Sequence, residues 1–326
     1  MTSSADYPRQ WPMATGLSAL NVIAAPDRGC ETHPVDRAAD RFPRVERLDA
    51  EEIARALFEQ TRIRLAVEGP CAGGQVGTAY VRWPDGHLGV LKWRPHVTVD
   101  ELRSGPLAVA GQLRTLGYPA PATELTAQIG PAVVMVQELL PGTKIDYLDA
   151  PHFDRVIDVH RIQANALAGL GGVPAYQLYL LGDGPGYCLH EPLRQFSRRT
   201  AVLERQISRC GAENPPHLLG NDAVHGDFHP GNILAARGGI TGVVDWDGAG
   251  RGDHRFDLVT LRFGIHPDRA DREVSERLDT LLDALPAAIL RPAWAHMSLR
   301  MTDWAIRHFP PGEVDQWLDL AEQRLG

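Results

Sequence analysis

The sequence predicts an α+β protein built as a small β-rich lobe followed by a larger, mostly helical one, with an irregular arm in front. Three observations predict this. Short β-compatible runs come in turn-linked pairs before residue 140, long amphipathic segments dominate after it, and one strand-and-loop island interrupts the helical part at 223 to 247. The expected divisions are an extension over 1–45, a small lobe over 46–140 and a large lobe over 141–326. A chain of 326 residues is long enough to fill two cores of ordinary size.

The arm mixes Pro, Ser, Asp and Arg without periodicity and carries no helix or strand signal. Order begins at LDAEEIARALFEQ, where Asp49 can cap a helix, Glu52 sits at the reciprocal capping position, and Ile53, Leu57 and Phe58 share a face. After a strand at 63 to 68, GTAYVRW and HLGVLKW form a hairpin around PDG, whose proline presets φ and whose glycine accepts a positive one. A helix starting at Ser104 to Pro106 and stopping at Gly117 follows, and PATELTAQIG with PAVVMVQELL makes a second strand pair. Beyond LLPG the amphipathic segments lie near 152 to 168, 191 to 209, 273 to 285 and 293 to 308.

Composition removes several function classes. Hydrophobic residues at 44% and charged ones at 23% suit a globular chain rather than a disordered one. A formal net charge of -8 argues against a nucleic-acid binder, since that affinity rests on neutralising phosphates. No window approaches the roughly 18 apolar residues of a membrane span, and no basic-then-apolar leader opens the chain. Cys30, Cys71, Cys188 and Cys210 are widely spaced and read as free thiols. The expected compartment is the cytoplasm.

The chemistry is concentrated in the island AVHGDFHPGNILAARGGITGVVDWDGAG. NIL and GVVDW are short strands joined by a turn, so Asn232, just before the first, comes close to Asp245 at the end of the second. Asp227 lies five residues before Asn232 in a loop tightened by Pro230 and Gly231. One carboxylate can then face a hydroxyl while an amide oxygen and a second carboxylate converge on a hard cation such as Mg²⁺. That is the minimum equipment for phosphoryl transfer. Two rivals stand beside it: a zinc site using both histidines of HGDFH, and a plain structural turn.

HGDFHPGNIL followed by VVDWDGAGRGDHRFDL resembles the signature of the aminoglycoside phosphotransferase and choline kinase superfamily, small-molecule kinases with a protein-kinase-like bilobal fold. The resemblance implies that Asp227 is the catalytic base, that Asn232 and Asp245 are magnesium ligands, and that His225 braces the loop. It casts Asp257 as a helix-start residue that also holds loop amides, and leaves Asp247 between a second-cation ligand and a turn cap. The co-substrate would be ATP or GTP, and the acceptor a hydroxyl of a small molecule, with aminoglycoside-like or other antibiotics the leading class. Metabolic kinases of the choline, sugar or amino-acid type, and a catalytically weak nucleotide sensor, are the alternatives.

At the nucleotide end, EGPCAGGQVGTAYV supplies a glycine-rich turn in which Gly73 and Gly74 can approach phosphate closely. Lys92 in GVLKW matches the kinase lysine that contacts the α and β phosphates, and it is one of only two lysines, with Lys144. VMVQELLPG resembles the hinge, where the Glu138 carbonyl and Leu140 amide would bind the base with Gln137 as back wall. One element of the kinase pattern is missing: the helix glutamate that pairs with the lysine falls at Gly105 or Pro106, and Glu101 fits better as the capping partner of Thr98. The acidic surplus after Asp245 would suit an amine-bearing acceptor or simply coat solvated helices. Trp294, Met297, Met301 and Trp304 form a helical stripe expected to pack in the core.

Overall fold

The computed structural model describes residues 48–71 and 77–325. The arm over 1–45, with Cys30, and the turn holding Gly73 and Gly74 lie outside them.

Helix α1 (Ala50–Thr61) starts where the Asp49 side chain accepts from the Glu52 amide. It leads into β1 (Ala66–Pro70), β2 (Ala79–Arg82) and β3 (Leu88–Pro95), then α2 (Val99–Ser104), α3 (Pro106–Thr115), β4 (Thr123–Ile129) and β5 (Ala132–Glu138). The strands form one antiparallel sheet in the order β1-β2-β3-β5-β4, so both hairpins expected from the turn chemistry are present. β5 is an interior strand, between β3 and β4, and is buried along nearly its whole length, which its VVMV run anticipates. Leu57 of α1 packs on one face with Val81, Leu91, Val134 and Val136; Leu102 of α2 packs on the other with Val133 and Met135.

The helix expected to begin at Ser104 to Pro106 is α3, and a separate short helix, α2, precedes it, started by the capping pair expected of Thr98 and Glu101. Thr98 and Glu101 close a reciprocal capping box that starts α2. Gly105, between the two helices, breaks the run, and Val109 and Leu113 of α3 join the large core rather than the sheet's own clusters.

The helical part consists of α4 (Ala150–Arg161), α5 (His190–Phe196), α6 (Arg198–Glu213), α7 (Phe256–Gly264), α8 (Arg272–Asp283), α9 (Ala287–His308) and α10 (Pro311–Leu325). The expected segment at 152 to 168 is helical only to Arg161; turns follow, with Asn165 at φ 54°. The segment at 191 to 209 is two helices because Ser197 is extended (φ -155°) and caps α6 through Thr200. Helix α9 runs 22 residues with its buried face on α6 and α7. No helix among the described residues is long and apolar enough to cross a membrane. Cys71, Cys188 and Cys210 are free thiols.

Between the helices lies the island. β6 (Thr143–Lys144), β8 (Ile233–Ala236) and β9 (Gly239–Val243) form one small sheet, and β7 (Asp222–Val224) pairs with β10 (Gly250–Gly252) in another.

Candidate active site

The β8–β9 hairpin performs the first step of assembly. Ile233 pairs with Val243, and the Val244 amide donates to the Asn232 carbonyl at 2.9 Å, so residues just outside the two strands meet as the sequence suggests. Asn232 closes a 3₁₀ turn over Pro230–Asn232, in which proline at the first position gives up an amide that would have no partner. Its side-chain Nδ2 donates to the Asp227 carbonyl at 2.9 Å and to Asp227 Oδ2 at 3.0 Å.

The loop that carries Asp227 is held from below by a buried carboxylate. Asp257, fully buried on α7, accepts from the His225 amide at 2.8 Å, the Gly226 amide at 2.9 Å and Gln163 Nε2 at 2.7 Å. Burial still pushes its carboxyl above the ordinary value, against the pull of His225 and those donors. Gly226 takes φ +79° with its α-carbon against the Tyr176 ring, where a β-carbon would come within 2.4 Å of a ring carbon.

His225 is a strut. Its Nδ1 accepts from the Asp227 amide at 3.1 Å, its Nε2 donates to the Val244 carbonyl at 2.9 Å, and its ring sits 4.4 Å from that of Trp246. Burial lowers its pKa, consistent with one neutral tautomer. His229 accepts from the Gly231 amide at 3.1 Å through Nδ1. A zinc site drawn from HGDFH would need both imidazole lone pairs, and the bond from the Asp227 amide uses the one on His225. The structure therefore gives the zinc alternative no support.

Asp227 is met from the far side by Arg300 of α9, whose Nη2 donates to Oδ1 at 2.8 Å and whose Nη1 donates to the Gly226 carbonyl at 2.5 Å. His229 Nε2 stands 3.6 Å from Oδ2. Burial alone would raise the Asp227 carboxyl; the Arg300 guanidinium and then His229 outweigh it and hold the group well below the usual carboxylate range. Sequence reasoning missed Arg300. The one available signal was a cation at the edge of an otherwise apolar helical stripe.

Asp245 adopts φ 69°, in the left-handed region where Asp is tolerated, and turns its carboxylate towards β3. Lys92 Nζ reaches Asp245 Oδ1 at 2.7 Å and Asp247 Oδ1 at 3.0 Å. Burial would lower the lysine's pKa, but Asp245 and then Asp247 override it and keep the ammonium charged. Asp245 in turn is held below its ordinary value, first by Lys92 and against burial. Asp247 thus does something other than cap a turn or stand free for a second cation.

These groups share one cavity of about 510 Å³, lined by Lys92, Gln137, Glu138, Leu140, Asp227, Asn232 and Asp245. Every predicted site residue that is described lies on it; Gly73 and Gly74 fall outside the described residues. Gln137 is buried, while the Glu138 carboxylate caps the Ala122 amide at 3.0 Å and binds Arg114 at 3.1 Å. Lys144 lines the cavity as well, which places both lysines of the chain there. On the helical side Met297, Met301 and Trp304 face it beside Arg300, whereas Trp294 is core, packed 5.3 Å from Phe263. The stripe packs in the core as expected, with Trp294, Met297 and Trp304 buried, and three of its members also border the cavity.

The fold is similar to that of solved phosphotransferases. A thermostable mutant of aminoglycoside phosphotransferase APH(4)-Ia in its apo form is 15% identical, with 83% of this chain and 96% of that one covered and a TM-score of 0.57. A further mutant of that enzyme, in a ternary complex with ADP and hygromycin B, is 15% identical, with 84% and 96% covered and a TM-score of 0.53. At that identity the likeness shows the fold. No curated protein matches the chain in sequence. The chain belongs to the phosphotransferase enzyme family, whose model it matches over residues 70–299.

Proposed function

We propose that the protein moves the γ-phosphate of ATP or GTP, bound with Mg²⁺, to a hydroxyl of a small molecule, with an antibiotic of the aminoglycoside-like or another class as the leading acceptor. One observation carries the reading: Asp227, Asn232, Asp245 and Lys92 line a single cavity, joined in bonded pairs of 3.0 Å (Asn232–Asp227) and 2.7 Å (Lys92–Asp245).

The donor set fits a hard cation. Asn232 commits its amide nitrogen to Asp227, which leaves its side-chain oxygen to coordinate, and the Asp245 side chain is 48% exposed. Magnesium bound there would bridge and neutralise the phosphates. Asp227 would accept the hydrogen bond of the incoming hydroxyl. Its low pKa makes it a weak base, so its contribution is to aim the oxygen and take the proton late, which suits a transfer with little bond formation to the nucleophile. Lys92 would hold the phosphates, Gln137 would back the base, and the backbone of Glu138 and Leu140 would bind its edge, with Gly73 and Gly74 covering the phosphates.

The acidic surplus of the helical part gives little support to an amine-bearing acceptor. Asp315, Asp319 and Glu322 clamp Arg199, Asp283 binds the largely buried Arg324, and Asp154 binds Arg277, so these acids are already paired. The wall beside Arg300 is instead Met297, Met301 and Trp304, which would favour an acceptor with a broad apolar face. The absence of a membrane-crossing helix and the free thiols of the described residues are compatible with work in the cytoplasm.

The test is magnesium-dependent transfer of labelled γ-phosphate from ATP and from GTP to a panel of hydroxylated antibiotics and metabolites. A phosphorylated product from at least one acceptor is expected. Absence of both nucleotide binding and transfer across the panel overturns the reading.

A further inference from the structure

We propose that Asp247 is the carboxylate that positions Lys92 for the nucleotide, replacing the glutamate that kinases supply from a small-lobe helix. The inference rests on the phosphotransfer reading above and concerns the part of the pattern the sequence lacks.

A buried ammonium must keep a counter-charge in every state of the site. Lys92 is 7% exposed and has two partners, Asp245 at 2.7 Å and Asp247 at 3.0 Å. Asp245 is the open one of the pair, with a side chain 48% exposed against 15% for Asp247. When Asp245 turns to the cation, Asp247 is the acid that remains with the lysine.

Asp247 is also the fixed one. Arg94, two residues along β3 and so on the same face as Lys92, donates to the Asp247 carbonyl at 2.8 Å and approaches its Oδ2 at 3.8 Å. Two side chains of one strand thus grip one residue of the island. Trp246, buried between the two aspartates with its indole donating to the Val243 carbonyl at 2.8 Å, pins the segment on its other side.

Of the two α2 acids, Asp100 is exposed and Glu101 is committed elsewhere. Glu101 Oε2 accepts from the Thr98 amide at 2.7 Å and from Thr98 Oγ1 at 2.8 Å, outside the site. Helix α3, PLAVAGQLRT, contains no acid. Glu138 is taken by Arg114 and the Ala122 amide. Among the described residues Lys92 forms ion pairs with Asp245 and Asp247 alone.

The decisive comparison is Asp247→Asn against Glu101→Gln, with Asp247→Glu as the conservative variant. Each is read by calorimetric titration with AMP-PNP and Mg²⁺, by the KM for nucleotide and for acceptor, and by thermal melting. Asp247→Asn is expected to weaken nucleotide binding about tenfold or more and to leave the acceptor KM near wild type, with Asp247→Glu recovering part of the loss. Glu101→Gln is expected to lower the melting temperature and leave nucleotide affinity unchanged. Should Asp247→Asn fail to fold, Arg94→Ala, which loosens the tether, is expected to weaken nucleotide binding severalfold. Unchanged affinity in the aspartate variant, or in Arg94→Ala where that variant replaces it, overturns the proposal, as does a loss in Glu101→Gln. A wild-type chain that binds no nucleotide removes the phosphotransfer reading itself, a different outcome from a wild type that binds and an Asp247→Asn that binds equally.

Discussion

Arg300 and Asp227 are joined by a 2.8 Å bond from Nη2 to Oδ1, and the same guanidinium holds the Gly226 carbonyl, so one side chain of α9 fixes both the loop backbone and its carboxylate. Asp227 therefore reaches the cavity already aimed and already charged. Arg300→Met should keep the volume and remove the charge. Turnover is expected to fall at least tenfold as the carboxylate loses its orientation, and stability by about 2 kcal/mol or less, because the pair is partly open to solvent. Steady-state kinetics with a urea melt separate the two effects; unchanged turnover would show the bond to be idle.

Asp227 and Asp245 should fail differently. Asp227→Asn is expected to cut transfer by about 10² to 10⁴ while nucleotide affinity changes little. Asp245→Ala should weaken the magnesium-nucleotide complex itself. Binding titrations with and without Mg²⁺, beside single-turnover transfer, check both; matching profiles in the two variants would contradict the division of roles.

Gly226→Ala meets two penalties at once, a positive φ and the Tyr176 ring at 2.4 Å. The cost should reach about 2 kcal/mol or more, whereas at Gly111, inside α3 with open space around it, the same change should be neutral or stabilising. Because the loop must shift to relieve the contact, turnover should drop with it. The midpoint of urea unfolding and the rate of transfer are the measurements, and a neutral Gly226→Ala would mean that the loop has slack.

Acid should begin to destabilise the fold through its buried histidines. His160 and His296 are buried, and burial, aided by the neighbouring His254 and Arg300 respectively, pushes the pKa of each down to about 3. Folded, they stay neutral; unfolded, each takes up a proton below about 6.5, so the unfolded state binds more protons through that window. Their contribution is complete above about pH 6.5 and is lost as pH falls towards 3, at up to about 1.4 kcal/mol per pH unit for each residue. Urea midpoints at pH 7 and pH 5 test this, and His296→Gln should flatten the slope.

What the sequence disclosed follows from how local each signal is. Asp227, Asn232 and Asp245 come together through one tight loop and one hairpin, whose turn residues are visible in the string. Arg300 meets Asp227 across 73 residues, and no spacing rule spans that distance. Met297 and Trp304 are core as expected and also border the cavity: helical periodicity says which side chains share a face, not whether that face also meets a void. Helix α7 is buried on almost every side, so it lacks the polar contrast that exposes an amphipathic helix. The break between α5 and α6 turns on one extended serine inside a run of good helix formers.

The placement of Lys92 and Lys144 on the same cavity makes the molecule a convenient subject for chemical footprinting. An amine-directed acylating reagent finds no ε-ammonium anywhere else on the chain, since its other strong cations are arginines. A mass shift on the Lys144 peptide would then report occupancy of the cleft without the background that a lysine-rich surface imposes, while Lys92, buried and held charged by its two aspartates, stays unmodified.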